Sequence, residues 1–144
     1  MVSWWSDEEP STSFGIDLCI APDTDVSMLQ INGVGPYESV GDVAPLPPLL
    51  ASGTAVDDQF ISKEGYPPAL SSTTRSEPLE GSRLTQVCDR GEGFQRVVIG
   101  LRAASPTGGG WDGVVVRYEV DGKQRNLHVP VSLFMCGTST EPCG

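Results

Sequence analysis

The most regular alternation of hydrophobic and polar side chains lies between residues 111 and 136. Val114, Val116 and Tyr118 occupy every second position, and a period of two that is rich in β-branched and aromatic residues is typical of a half-buried β-strand. The dipeptide Asp121-Gly122 follows. It favours a two-residue type I′ turn, because both central positions of that turn need a positive φ. This stretch therefore predicts a β-hairpin.

The length of the turn sets the register of the hairpin, because each further pair follows by counting outward. Val116 then faces Leu127 and Val114 faces Val129, which makes one face of both strands apolar. A shift by one residue would turn Leu127 to the polar face, so we expect a single register. The other predicted pairs are Val120 with Lys123, Glu119 with Gln124, Tyr118 with Arg125, Arg117 with Asn126 and Val115 with His128.

Pro130 interrupts the return strand of this hairpin, which runs from residue 123 to residue 136. Because proline has no N–H group to donate to a neighbouring strand, we expect an edge, a β-bulge or a change of sheet there. The apolar face resumes beyond it at Val131, Leu133 and Met135.

The rest of the chain contains short hydrophobic runs between turn residues, and no segment keeps a 3.6-residue apolar period. Asn32-Gly33 predicts a break between strands, and the proline-rich residues 45–50 predict a polyproline-like connector. Residues 65–81 show the least strand character, and because a long loop in a compact domain is often functional, they are the predicted contact loop. Further strands are predicted at residues 14–20, 26–31, 37–44, 55–62, 84–88 and 96–102, the last with Arg96 and Arg102 pointing outward.

Composition and length bound the fold. The chain has 144 residues, enough for one domain with a core, and glycine and proline, 17 and 12 of them, make up about a fifth. Short strands between such turn residues predict an all-β sandwich of about seven or eight strands, Greek-key connected, in which strands adjacent in sequence pair. We assign it residues 12–144 and expect residues 1–11 to form a disordered acidic leader.

The chain has a net charge of −10 and contains no cluster of basic residues. Both features argue against binding of nucleic acid or of an anionic membrane surface. No hydrophobic run is long enough to span a membrane. We therefore expect any membrane attachment to come from a segment absent from this chain, and a partner, if there is one, to be another extracytoplasmic protein.

Four cysteines, Cys19, Cys88, Cys136 and Cys143, occur without a CxxC pair. Two disulfides are therefore favoured over a zinc site, and they predict an oxidising, extracellular or cell-surface location. Four cysteines allow three connectivities. Cys88 and Cys136 end predicted strands, so this pair is the first choice and leaves Cys19 with Cys143. Cys19 with Cys136 is the rival pair, because both lie off the apolar face of their strands.

Candidate chemistry is sparse. His128 is the one histidine, and its register places it on the polar face near Asn126, with Ser132 further along. A catalytic base needs a nucleophile within hydrogen-bond reach, and no such motif surrounds it. Asp57 and Asp58 are adjacent, so on a strand they would face opposite ways and stay solvated. A calcium site would need these two acids together with Asp23 and Asp25.

The last third of the chain resembles uncharacterised exported or membrane-anchored domains of actinobacteria. The residues that carry the resemblance are Cys88, the Arg117-Tyr118 strand end, Gly122 and the closing Leu133-Phe134-Met135-Cys136. The resemblance implies an immunoglobulin-like sandwich outside the membrane, with no known activity and no catalytic residues.

These observations predict a non-catalytic extracytoplasmic domain of a membrane-anchored or secreted bacterial protein, with a structural or protein-binding role and without a cofactor or metal. Two alternatives stay open. One is an exported hydrolase-type enzyme that uses His128 and a neighbouring acid or serine. The other is a calcium-stabilised adhesion module.

Overall fold

The computed structural model describes residues 2–4, 11–26, 28–91, 93–104 and 107–136. They form an all-β protein of two five-stranded sheets, which confirms the all-β part of the predicted fold class. The described residues contain ten strands, whereas about seven or eight were expected. Six of the ten have eight or more residues, and four have two to four. The strands are β1 (Val2–Trp4), β2 (Ser11–Leu18), β3 (Leu29–Gly41), β4 (Val43–Gly53), β5 (Ser62–Glu64), β6 (Arg75–Pro78), β7 (Ser82–Arg83), β8 (Phe94–Ala103), β9 (Gly108–Val120) and β10 (Lys123–Cys136).

Sheet A has the order β1-β10-β9-β3-β7 and sheet B the order β5-β2-β8-β4-β6. All neighbouring strands run antiparallel except β1 and β10. One hydrophobic core lies between the sheets and takes side chains from both, among them Phe14 and Ile99 from sheet B and Val114 and Leu133 from sheet A. This core holds the two layers together.

The prediction that strands adjacent in sequence pair is wrong except for β9 and β10. Between β3 and β4 only Asp42 intervenes, after Gly41 with a φ of 68°. One residue is too few for a hairpin turn, so the chain leaves sheet A at this corner and continues in sheet B. The long pairings β3–β9, β4–β8 and β2–β8 therefore join distant segments.

The predicted hairpin is confirmed. All seven pairs from Val120–Lys123 to Val114–Val129 occur in β9 and β10, and Asp121 and Gly122 have φ values of 50° and 86°, as a type I′ turn needs. The register shifts between Val129 and Ser132, so the interruption expected at Pro130 is a β-bulge. Beyond it Leu133 and Met135 are buried in the core.

Two predicted interruptions are instead parts of strands. Asn32-Gly33 lies inside β3, where the register against β9 shifts between Ile31 and Gly33. Residues 45–50 lie inside β4, with a shift between Leu46 and Leu49. Bulges accommodate prolines and glycines that a regular ladder does not, and pairing with β8 and β9 overrides their local preference for turns.

Other strands were predicted too long. In residues 55–62 the structure has a 3₁₀ turn at Val56–Asp58 before β5, and Val56 is exposed. The strand predicted at residues 26–31 begins at Leu29, and residues 84–88 contain one isolated bridge, Ile20 with Val87. These segments lie at sheet edges and ends, where few ladder partners extend a strand.

Part of the predicted disordered leader is structured. Val2–Trp4 forms β1 and pairs with residues 134–136 of β10, because the otherwise unpaired edge of β10 offers hydrogen bonds to an extended chain. Residues 5–10 lie outside the described residues, and Ser11 already belongs to β2.

Within the described parts of the chain, no helix has the length and apolar character needed to cross a lipid bilayer.

Candidate functional site

A disulfide joins Cys19 to Cys88, with their Cα atoms 5.0 Å apart. The predicted pairs of Cys88 with Cys136 and of Cys19 with Cys143 or Cys136 are therefore wrong. Cys19 follows β2, and the segment with Cys88 leads into β8, the neighbour of β2, so both cysteines reach the same end of sheet B. Ile20 N–H donates to Gln86 O and Cys88 N–H to Ile20 O, each at 2.8 Å. Cys143 and the side chain of Cys136 lie outside the described residues.

His128 lies where the register placed it, opposite Val115 on the outer face of sheet A. Its ring stacks on Tyr37, with the centroids 4.4 Å apart and the planes at 15°. Among the described residues no Ser, Cys, Asp or Glu hydrogen-bonds to it, and Ser132 Oγ donates instead to Asp112 Oδ1 at 2.9 Å. The geometry therefore offers His128 no nucleophile.

The four acids considered for calcium do not come together. In the described residues no three His, Cys, Asp or Glu side chains are placed to share a metal ion. Asp58 is 3% exposed, so the prediction that it is solvated is wrong. Its carboxylate accepts hydrogen bonds from Ser71 N–H, Ser71 Oγ at 2.7 Å and the hydroxyl of Thr74. These bonds, above all those from the two hydroxyls, lower the pKa of Asp58 below its usual value although burial opposes them.

The predicted contact loop, residues 65–81, divides into two parts. Its first part packs on the outer face of sheet B, where the Tyr66 ring lies over Gly100 and its hydroxyl donates to Pro47 O. Leu70 packs there against a second small cluster of Ala51, Phe60 and Val98. Its second part contains β6, whose four residues are all exposed at the edge of sheet B. Leu79, just after β6, is fully buried in the main core, so the exposed strand in this second part is β6 itself.

An open groove of about 900 Å³ lies beside the edge strands β6 and β7. Its lining is mostly polar and includes Arg75 and Glu77 of β6, Glu80, and Arg83 of β7. β6 and β7 are the last strands of sheets B and A, and among the described residues the outer edge of β6 pairs with no further strand. Unpaired edges present backbone N–H and C=O groups to a ligand.

Gln95 holds one wall of this groove in place. Its Oε1 accepts from Thr85 N–H at 2.6 Å and Gln86 N–H at 2.7 Å, and its Nε2 donates to Arg83 O at 3.0 Å. β3 pairs with Arg83 and accepts a bond from Leu84 N–H, and the buried Gln95 side chain binds the further backbone groups of Arg83, Thr85 and Gln86. The sequence did not predict this role of Gln95, because nothing local to a polar residue at the start of a strand indicates which distant backbone groups it binds.

No protein-family model, no curated protein and no solved structure matches this chain. The resemblance of its last third to exported actinobacterial domains therefore stays an expectation. The features that bear on function are the disulfide, the exposed edge strand β6 and the groove beside it.

Proposed function

We propose that this chain is a non-catalytic domain of a secreted or membrane-anchored bacterial protein, which binds a partner protein outside the cytoplasm. The Cys19–Cys88 disulfide supports this compartment, because such bonds persist in oxidising surroundings and are rare in the cytosol. An immunoglobulin-like, Greek-key type is part of the proposal. It is supported by the two layers and by a chain that crosses between them at Asp42 and again between β8 and β9.

The observation that carries the binding role is the groove beside β6 and β7. Its occupant is an extended polypeptide segment of the partner, which adds to the free edge of β6 through backbone hydrogen bonds. Arg75 and Arg83 supply guanidinium groups that pair with carboxylates of that segment. Pro78 and the charged residues of β6 discourage pairing with unrelated strands, so a partner must complement these charges and specificity follows.

A selection of displayed random peptides on the purified protein tests this role. We expect peptides to be enriched that carry acidic residues and that shift the backbone amide resonances of Arg75, Ser76 and Glu77. The double variant Arg75→Glu/Arg83→Glu should weaken their binding at least about tenfold. Both side chains are exposed, so the fold should persist.

The matched control is Arg90→Glu/Arg102→Glu, which changes the net charge equally at exposed positions outside the groove. If binding falls equally in both double variants, the loss comes from the change in overall charge and not from the groove. Resonance shifts that map elsewhere, or no enriched peptide at all, would contradict the groove as the contact surface.

A further inference from the structure

A second, apolar pocket opens between the two sheets at the end that carries the Asp121-Gly122 turn. Its volume is about 310 Å³, which lies at the lower end of the range for small-molecule sites, roughly 300 to 1,000 Å³. Its walls are formed mainly by aliphatic side chains from both sheets, among them Leu18 from β2, Leu29 from β3, and Val116 and Leu127 from the hairpin. Among the described residues of the lining, Thr24 and Tyr118 carry side-chain hydroxyls.

The pocket exists because the hairpin has no strand of sheet B opposite its tip. Leu127 pairs with Val116 and shares its inward face. Val116 is 2% exposed, whereas Leu127 is 43% exposed. In the facing sheet B, β2 ends at Leu18. The inner face of the hairpin near its turn therefore lacks the interdigitating side chains that normally fill a sandwich.

A covalently anchored segment closes the outer side of the pocket. Residues 21–26 contribute Ala21, Thr24 and Val26 to its lining. The Cys19–Cys88 disulfide and the Ile20–Val87 bridge hold the segment before it. After it, Met28 N–H donates to Asp121 Oδ1 and Asp121 N–H to Met28 O, both at 3.1 Å. The pocket is therefore a built feature whose wall is tied to both sheets.

We propose that this pocket binds the alkyl chain of a small amphiphile and leaves the polar head in solvent at its mouth. The described lining residues are mostly aliphatic, and aliphatic walls match an alkyl chain better than the polar surface of a sugar or a nucleotide. A methylene occupies about as much space as a water molecule, roughly 30 Å³, so the pocket holds a chain of about ten carbons. This inference does not rest on the groove beside β6 and β7.

A series of 1-alkanols from hexanol to dodecanol, titrated below their limits of aqueous solubility into the oxidised protein, tests the proposal by calorimetry. Each added methylene that enters the pocket should tighten binding about fourfold. We expect this gain to stop near ten carbons, where the pocket is full. A gain that continues to dodecanol without a break, or no binding by any alkanol, would overturn the proposal.

Two variants locate the binding site. Leu127→Gln places an amide at the partly exposed mouth and should weaken decanol binding at least about tenfold. Val26→Phe fills part of the pocket, so the plateau should move to a shorter chain. Ile61→Gln is the matched control, because Ile61 is 66% exposed and lies outside the lining. Unchanged alkanol binding in both pocket variants, or an equal loss in the control, would contradict the assignment.

Discussion

The guanidinium carbon of Arg96 lies 5.5 Å from the centre of the Phe60 ring, on the outer side of sheet B. Arg96 points away from the main core, as its strand pattern predicts, yet it is only 5% exposed. Its Nε donates to Asp17 Oδ1 at 2.8 Å, and Lys63 Nζ lies 5.3 Å from the centre of the same ring. The carboxylate and the ring offset part of the cost of burying this charge, while Arg96 Nη1 has no hydrogen-bond partner among the described residues.

This arrangement requires glycine at position 15. A Cβ atom there would lie 2.6 Å from Arg96 Nη1 and 2.7 Å from Phe60 O. Because one of these atoms belongs to the backbone, Gly15→Ala should lower the free energy of unfolding by about 1–3 kcal/mol, measured by urea denaturation. Gly35→Ala is the control, because a Cβ at position 35 meets nothing within 4 Å, and it should change stability by less than about 0.5 kcal/mol. Equal effects of the two substitutions would refute the packing of Arg96 over Gly15.

Asp58 should make stability depend on pH in the acid range. The Thr74 and Ser71 hydroxyls hold its pKa below the usual 3.8, so the folded state favours the ionised carboxylate more than the unfolded state does. The stabilisation that the ionised Asp58 carboxylate gives is fully present above pH 3.8. It disappears as the pH falls through the lower pKa of the folded state. In urea denaturation across the acid range, the stability difference between the wild type and Asp58→Asn should therefore shrink towards low pH.

The exposed neighbour Asp57, in the variant Asp57→Asn, serves as the control for this pH dependence. We expect it to change stability by less than about 0.5 kcal/mol, because the hydrogen bonds from Ser71 and Thr74 go to Asp58 and not to Asp57. A constant difference between the wild type and Asp58→Asn at all pH values would show that Asp58 does not titrate as the hydrogen bonds to Ser71 and Thr74 require.

The Cys19–Cys88 disulfide closes a long loop, since the cysteines are 69 positions apart. A cross-link of this span restricts the unfolded chain, so the double variant Cys19→Ser/Cys88→Ser should lose about 4 kcal/mol of stability. Peptide mapping of the unreduced protein should yield one peptide pair that joins positions 19 and 88. A peptide that joins Cys19 or Cys88 to any other cysteine would contradict the observed pairing.

Gln95 should matter for stability and for the wall of the groove. Gln95→Leu leaves the N–H groups of Thr85 and Gln86 without their acceptor, so we expect a loss of about 2 kcal/mol and faster hydrogen exchange at these two amides. Gln124→Leu is the control, because Gln124 is exposed and donates one bond, to Glu119. Unchanged exchange at Thr85 and Gln86 in Gln95→Leu would rule out the role of Gln95 as the partner of this segment.

The sequence by itself determined the hairpin of β9 and β10 down to single pairs, the turn at Asp121-Gly122 and the interruption at Pro130. These features are local, because the turn type depends on two residues and the register then follows by counting. The outward positions predicted for Arg96 and Arg102 likewise leave Val97, Ile99 and Leu101 on the inward face of β8, where they lie in the core, since side chains on a strand alternate between the faces.

Only the tertiary structure decided which strands pair, which cysteines meet and which charges are buried. The partners of β4, of Cys19 and of Asp58 lie far away in sequence, and no local pattern records such distances. Pairing with β8 made residues 45–50 a strand, and the covering segment around Phe60 and Ser71 buried Arg96 and Asp58. The candidate sites arise in the same way: both lie where a strand edge or the hairpin tip lacks a partner, which depends on where every other strand ends.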